Sequence, residues 1–231
     1  MAVYEQPLNE KIRLFMRLSY LMKRFNHHLE EPTQVNCQAA VMVLLELYNL
    51  SSRLDVKNAA LHVLDIQTQA VRQVEGFEGV DKARVARILE KLEEKSKRLY
   101  SFRGQLGQQL KAHNFLNILK QRASIAGGIN DLDVPLFNYW LNKPTDEKVK
   151  DLRAWAKPYV IAFDAIELLM DLIYQGKDVT EAVAEGGFYQ ASLTPGIDYQ
   201  ILSVTLDDKI EIYPEISAGK QRFSIRFVDA S

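Results

Sequence analysis

Seven residues near the end of the chain carry its strongest chemical pattern. Lys220, Arg222, Ser224 and Arg226 share one parity, and Phe223, Ile225 and Phe227 share the other. Successive side chains of a strand point to opposite faces, so this spacing puts cations and a hydroxyl on one face and large apolar groups on the other. A solvated strand needs a polar outer face, not an all-cationic one. Guanidiniums held on a rigid sheet present paired N–H donors that fit carboxylates or phosphates. The plainer reading is that these arginines keep the strand soluble and guard a sheet edge.

Elsewhere the chemistry is sparse. Four histidines occur, His27, His28, His62 and His113. The adjacent pair point about 100° apart on a helix, whereas helical metal pairs favour i, i+4 spacing. They read as solvated residues near a helix end. Cys37 is the single cysteine and lies in an apolar helical stretch, as a small core residue would. Gly104-Gln-Leu-Gly107 superficially matches a nucleic-acid-clamping GXXG loop but lacks the surrounding strand pattern. Gly127-Gly128 is not followed by Lys-Ser/Thr, so it is no phosphate loop. Asp131 and Asp133 are too few for a cation site and read as helix caps. No catalytic constellation, metal site or cofactor is expected.

These few residues must be positioned by the rest of the chain, which reads as helices first and strands last. Val3–Gln6 is extended and ends at Pro7. Asn9 caps a helix running to His28, with Arg13, Arg17, Tyr20 and Arg24 on one solvated stripe. Further helices are expected over 34–52 and 56–74, and from a cap at Asp81 toward Arg122. Gly104 and Gly107 interrupt the last of these. From Asp81 to Arg122, eleven Lys/Arg face four Asp/Glu, a surplus of seven. Gly127-Gly128 marks a break, Asp133 and Pro135 open a short helix, and 146–174 is helical with an interruption at Pro158.

The pattern then becomes short, β-branched and turn-bounded, with strands expected over 186–190, 200–206, 210–213 and 221–228. Asp207-Asp208-Lys209 and Ser217-Ala-Gly219 are the expected hairpin turns. The fold class is therefore α+β: a mostly helical domain over 8–185, followed by a small antiparallel β-domain over 186–231. Three C-terminal strands make a marginal sheet alone, and segment 1–7 is expected to complete it.

Totals narrow the function. The chain has 231 residues, 47% hydrophobic and 26% charged, with a formal net charge of −1. Such balance makes any basic site local and argues against a general nucleic-acid coat. One cysteine allows no intramolecular disulfide, which suits a reducing cytosol. The start lacks a basic n-region and an apolar h-region, and no apolar run approaches the roughly 20 residues of a membrane span.

Taken together, several segments resemble the ZapD family, bacterial cytoplasmic proteins associated with the division GTPase FtsZ. The anchors are Pro7–Arg13, Gly79-Val-Asp81, Arg122–Gly128, Leu132–Pro135 with Trp140-Leu141, Gly187–Gln190, and Tyr213–Phe227. Each is weak alone, but their order and spacing are specific and span nearly the whole chain.

The resemblance implies a homodimer that binds the C-terminal tail of FtsZ through arginines of a basic groove. It also implies cross-linking and bundling of FtsZ filaments at the mid-cell division ring. The family's terminal-strand arginines fall on Arg222 and Arg226, and one beyond the second helix aligns with Arg53. Arg13 lies in the matching start motif, and Lys220 joins from strand parity and motif together. Family members continue past the Arg-Phe of this motif with a strand-like segment, so a sheet with one strand fewer, or a shortened chain, is expected here. No enzymatic activity, nucleic acid or membrane enters this reading. Its rival is a nucleic-acid binder using the basic helix 82–122.

Overall fold

The computed structural model describes residues 1–123, 125, 129, 133–207 and 209–229. Among these residues the chain forms eight helices and five strands, helices first and a small antiparallel β region last. It divides into two compact units, Met1–Leu14 with Ile173–Ser231, and Phe15–Leu172.

The second unit is built from amphipathic and fully buried helices. Helix α1 (Glu10–His28) starts where expected: the Asn9 side chain accepts the Ile12 N–H at 2.9 Å. Its 3.6-residue repeat buries Phe15, Leu18, Met22 and Phe25. Helix α2 (Gln34–Arg53) is capped by Thr33, which accepts the Asn36 N–H at 3.2 Å. It buries Val41, Leu44 and Leu47 at the heart of the unit. Helices α3 (Val56–Val74) and α4 (Lys82–Ser101) form a hairpin. Asp55 and Asp81 cap their first turns by accepting the Asn58 and Arg84 N–H groups, each at 3.0 Å.

Gly104 and Gly107 end the α4 run, as expected, because the chain turns there through φ of +84° and +81°. That left-handed region is favourable mainly for glycine. A single turn, α5 (Gln108–Lys111), and α6 (Asn114–Ala123) follow. The breaks and caps expected at Gly127-Gly128 and Asp131 lie outside the described residues. Helix α7 (Pro135–Leu141) opens with proline at its start, but Val134, not Asp133, holds the cap position and supplies no side-chain bond. Phe115, Phe137, Trp140 and Trp155 pack as one aromatic cluster with ring centroids 5.6–6.3 Å apart.

Helix α8 (Thr145–Gln175) corrects one expectation: it runs 31 residues through Pro158 without interruption. An interior proline removes one helical hydrogen bond and costs roughly 3 kcal/mol. On either side of it, Leu152, Ala156, Tyr159, Ala162, Ile166 and Leu169 are fully buried. Burying a large apolar side chain contributes about 1.5–3 kcal/mol, so several of them outweigh the proline.

In the first unit, strand β1 (Ala2–Pro7) pairs antiparallel with β3 (Ile201–Leu206), Ala2 opposite Leu206 and Pro7 opposite Ile201. A separate sheet has the order β2-β5-β4, from β2 (Phe188–Ser192), β5 (Arg222–Asp229) and β4 (Ile212–Ala218). A hairpin between β3 and β4, implied by the turn at Asp207-Asp208-Lys209, does not form among the described residues. Strand β3 pairs with β1 and β4 with β5, and Asp208 itself lies outside the described residues. The second expected hairpin does form: Ala218 stands opposite Phe223, and the Gly219 N–H donates to the Arg222 carbonyl at 2.9 Å. Strand β4 also extends through Pro214, which a sheet tolerates on an edge strand.

Candidate functional site

The alternation on β5 is realised. Ile225 is buried, Phe223 and Phe227 are half-buried, and Arg222 and Arg226 are exposed. The covered face is completed by Tyr189, whose ring lies 6.0 Å from that of Phe223, and by buried Pro214. The two arginines are four residues apart on a strand, which sets their Cα atoms about 13 Å apart on one face. Among the described residues, neither guanidinium has a hydrogen bond or ion pair within the chain. Guanidiniums so exposed carry the paired N–H donors that fit carboxylate oxygens.

Register shows what accompanies them. On β2, Phe188 stands opposite Arg226, Gln190 opposite Ser224, and Ser192 opposite Arg222. On β4, Glu215 stands opposite Arg226, Ser217 opposite Ser224, and Tyr213 opposite Val228. Side chains that are opposite across a ladder share a face, so the exposed face combines two arginines with Phe188, Tyr213 and Glu215. Phe188 and Tyr213 are 49% and 39% exposed, which makes the surface amphipathic rather than merely cationic. These three residues were missed by single-strand parity. Counting back across the Ser217–Gly219 turn yields Glu215 and Tyr213; Phe188 requires the β2 register.

The other expected cations are placed differently. Lys220 stands exposed in the β4–β5 loop, ahead of the strand, so strand parity does not extend to it. Arg13 lies near the start of α1 in the same unit, half-exposed, with its Nε 3.3 Å from Glu10 Oε1. Arg53 is the exposed last residue of α2, in the helical unit, where a cation suits the helix C-terminus. Thus Arg222 and Arg226 share a face, while Arg13 and Arg53 sit on helices of different units. On α1, Arg24 bonds Glu46 at 3.4 Å and covers the Tyr20 ring at 5.5 Å, as a solvated helix face would.

Several cations of the basic helical segment have partners. Lys95 and Arg98 approach Glu94 at 3.6 and 3.7 Å, and Arg98 also meets Asp164 at 3.3 Å. Lys97 and Arg72 pair with Glu93, and Lys120 sits 4.1 Å from the Tyr48 ring centroid. Cys37 is fully buried, as a small core residue would be; burial pushes its thiol pKa up, opposed by the Lys148 ammonium. Among the described residues there is no cluster of three metal-ligating side chains, and no helix is long and apolar enough to cross a membrane.

Comparison with known proteins gives one family throughout. The model of the family described as ZapD, cell division protein, matches residues 16–226. The cell division protein ZapD of Chromobacterium violaceum is 33% identical over 230 residues, covering 100% of this chain and 91% of the relative. That of Shewanella oneidensis is 34% identical over 226 residues, 98% and 90% of the two chains. The Methylococcus capsulatus protein is 30% identical over 226 residues, 98% and 89%.

Proposed function

The chain belongs to the ZapD family of cell division proteins, and from that premise we propose that it binds the C-terminal tail of FtsZ through the arginine face of β5. As a homodimer it presents two such faces, links neighbouring filaments laterally and bundles them at the mid-cell division ring. It acts in the cytoplasm by binding alone, without a cofactor and without catalysing a reaction.

The observation that carries this reading is the pair of exposed guanidiniums on β5, free of intramolecular partners among the described residues. Each well-formed charge-assisted hydrogen bond contributes roughly 1.5–3 kcal/mol, whereas exposed ion pairs contribute about 0–1 kcal/mol. One face therefore binds a tail modestly. A dimer facing a filament with many tails gains from effective concentration, which can raise avidity by about 10²–10⁴. Lys220, Arg13 and Arg53 are further tail contacts in this reading, each open to its own substitution.

Low-speed co-sedimentation with polymerised FtsZ, intact and lacking its tail, tests the reading at two salt concentrations. Pelleting that needs the tail and weakens with salt is expected. Equal pelleting of intact and tailless filaments overturns the proposed site, and no pelleting of either overturns the function.

A further inference from the structure

A second basic surface lies in the helical unit, apart from the strand arginines. The last turn of α1 and the middle of α8 flank a cleft of about 600 Å³. Its floor is apolar: Phe25 and Ala156 are buried, Leu29 is half-buried and Val160 is 38% exposed. Arg153, Ala156, Lys157 and Val160 follow at i, i+3, i+4 and i+7, so α8 turns two cations and two apolar groups to the same side. Both cations are exposed and, among the described residues, neither has a hydrogen bond or ion pair. The positions three and four residues from each hold no acid, and Asp151, Asp164 and Glu167 pair instead with Lys143, Arg98 and Lys23 at 3.3–3.4 Å. On the α1 side, the Glu30 carboxylate lies 3.2 Å from His27 Nδ1.

We propose that this cleft binds a small amphipathic anion, an apolar chain ending in a carboxylate or phosphate, with its head on Arg153 and Lys157 and its chain over the apolar floor. Clefts of roughly 300–1,000 Å³, mostly apolar with a few polar groups, are the usual make-up of small-molecule sites. Side chains at i and i+4 of a helix lie about 6 Å apart, close enough for one head group to meet both. The guanidinium gives paired donors to its oxygens, and the ammonium adds a second positive charge. Lys150, exposed and one turn earlier, strengthens the same field. Glu30 lines the α1 rim and repels an anion there, which sets the head toward α8. A docked three-turn helix, about 10–12 Å across and 16 Å long, exceeds the space. A merely solvated helix face needs no apolar hollow beneath its cations, and here they border one.

The test is isothermal titration calorimetry of the whole protein with decanoate, decyl phosphate and decyltrimethylammonium, each below its critical micelle concentration. Saturable binding of an anion at one per chain is expected, and the tighter of the two anions identifies the head group. Decyltrimethylammonium, which lacks the charge, and acetate, which lacks the chain, are expected to bind about tenfold more weakly or worse. Arg153→Glu with Lys157→Glu is expected to weaken the anion about tenfold. Arg153→Gln with Lys157→Gln serves the same purpose if the first variant loses its circular dichroism. Val160→Asp is expected to weaken the anion as well, while Arg222→Glu leaves it unchanged. Equal binding of the cationic and anionic amphiphiles overturns the site, as does unchanged binding by the double variants or loss of binding in Arg222→Glu. Binding of a glutamate-rich helical peptide without any binding of decanoate or decyl phosphate also overturns it, in favour of a protein partner.

Discussion

Reversing Arg226 is expected to have two separable effects, because two different neighbours bear on it. Glu215 stands directly opposite on β4. Opposite charges at such positions contribute about 0.2–1 kcal/mol and like charges cost a similar amount. Arg226 makes no ion pair among the described residues, so Arg226→Glu only gains a repulsion, a fold destabilisation of about 0.2–1 kcal/mol. Arg222 faces Ser192 on β2 and lacks an acidic partner, so Arg222→Glu is expected to change stability by less than about 0.5 kcal/mol. For tail binding the two are alike. Each loses a charge-assisted contact of about 1.5–3 kcal/mol, roughly a 10- to 150-fold drop in affinity at low salt, shrinking as salt screens the face.

The swap Glu215→Arg with Arg226→Glu separates the effects. It removes that repulsion while moving the cation by one strand, about 4.8 Å. Thermal unfolding is expected to return to the wild-type midpoint, while anisotropy of a labelled FtsZ tail peptide stays weak. Wild-type affinity in the swapped protein would refute the geometric argument, because net charge alone would then suffice. Equal destabilisation by the two single reversals would refute the register argument.

Three further outcomes concern the helical unit. Burial holds the Tyr159 pKa well above its ordinary 10.0, opposed by a hydrogen bond with Ser51 and assisted by Tyr48. The unfolded chain then ionises first, so stability falls by about 1.4 kcal/mol per pH unit above pH 10, and Tyr159→Phe removes that slope in alkaline unfolding curves. Gly107 has φ +81°, and an added Cβ would collide with the Tyr159 hydroxyl, so Gly107→Ala is expected to cost more than about 1 kcal/mol in denaturant unfolding. The buried thiol of Cys37 should react with a thiol reagent only at the unfolding rate, and rapid labelling of the native protein would contradict its packing.

The helical part of the fold was legible where local chemistry and burial agree. Asn9 and Asp81 announce helix starts, and the apolar spacing that follows each cap is also what packs. Pro158 was misread because its local cost is visible in the sequence, whereas the fully buried residues on either side of it are a tertiary fact. The β3–β4 hairpin was misread for a related reason. Neighbours in sequence usually pair, but here β1 pairs with β3 from the far end of the chain. At the site, parity within one strand suffices for Arg222 and Arg226. Glu215 and Tyr213 require the β4–β5 register, which the turn at Gly219 encodes. Phe188 requires the β2 pairing, which no local turn announces. Lys220 shows the limit of parity, since the rule stops where the strand does.

The central claim is that the arginines of β5 contact the tail carboxylates directly, and a charge exchange across the two proteins tests it most directly. Binding is measured between the Arg222→Glu, Arg226→Glu double variant and an FtsZ tail peptide whose acidic residues are replaced by lysine. Each altered partner is expected to lose binding to its unaltered counterpart, and the two altered partners together are expected to regain it. Failure of the altered pair to bind, with the variant folded, would contradict direct contact and place the tail elsewhere on the molecule.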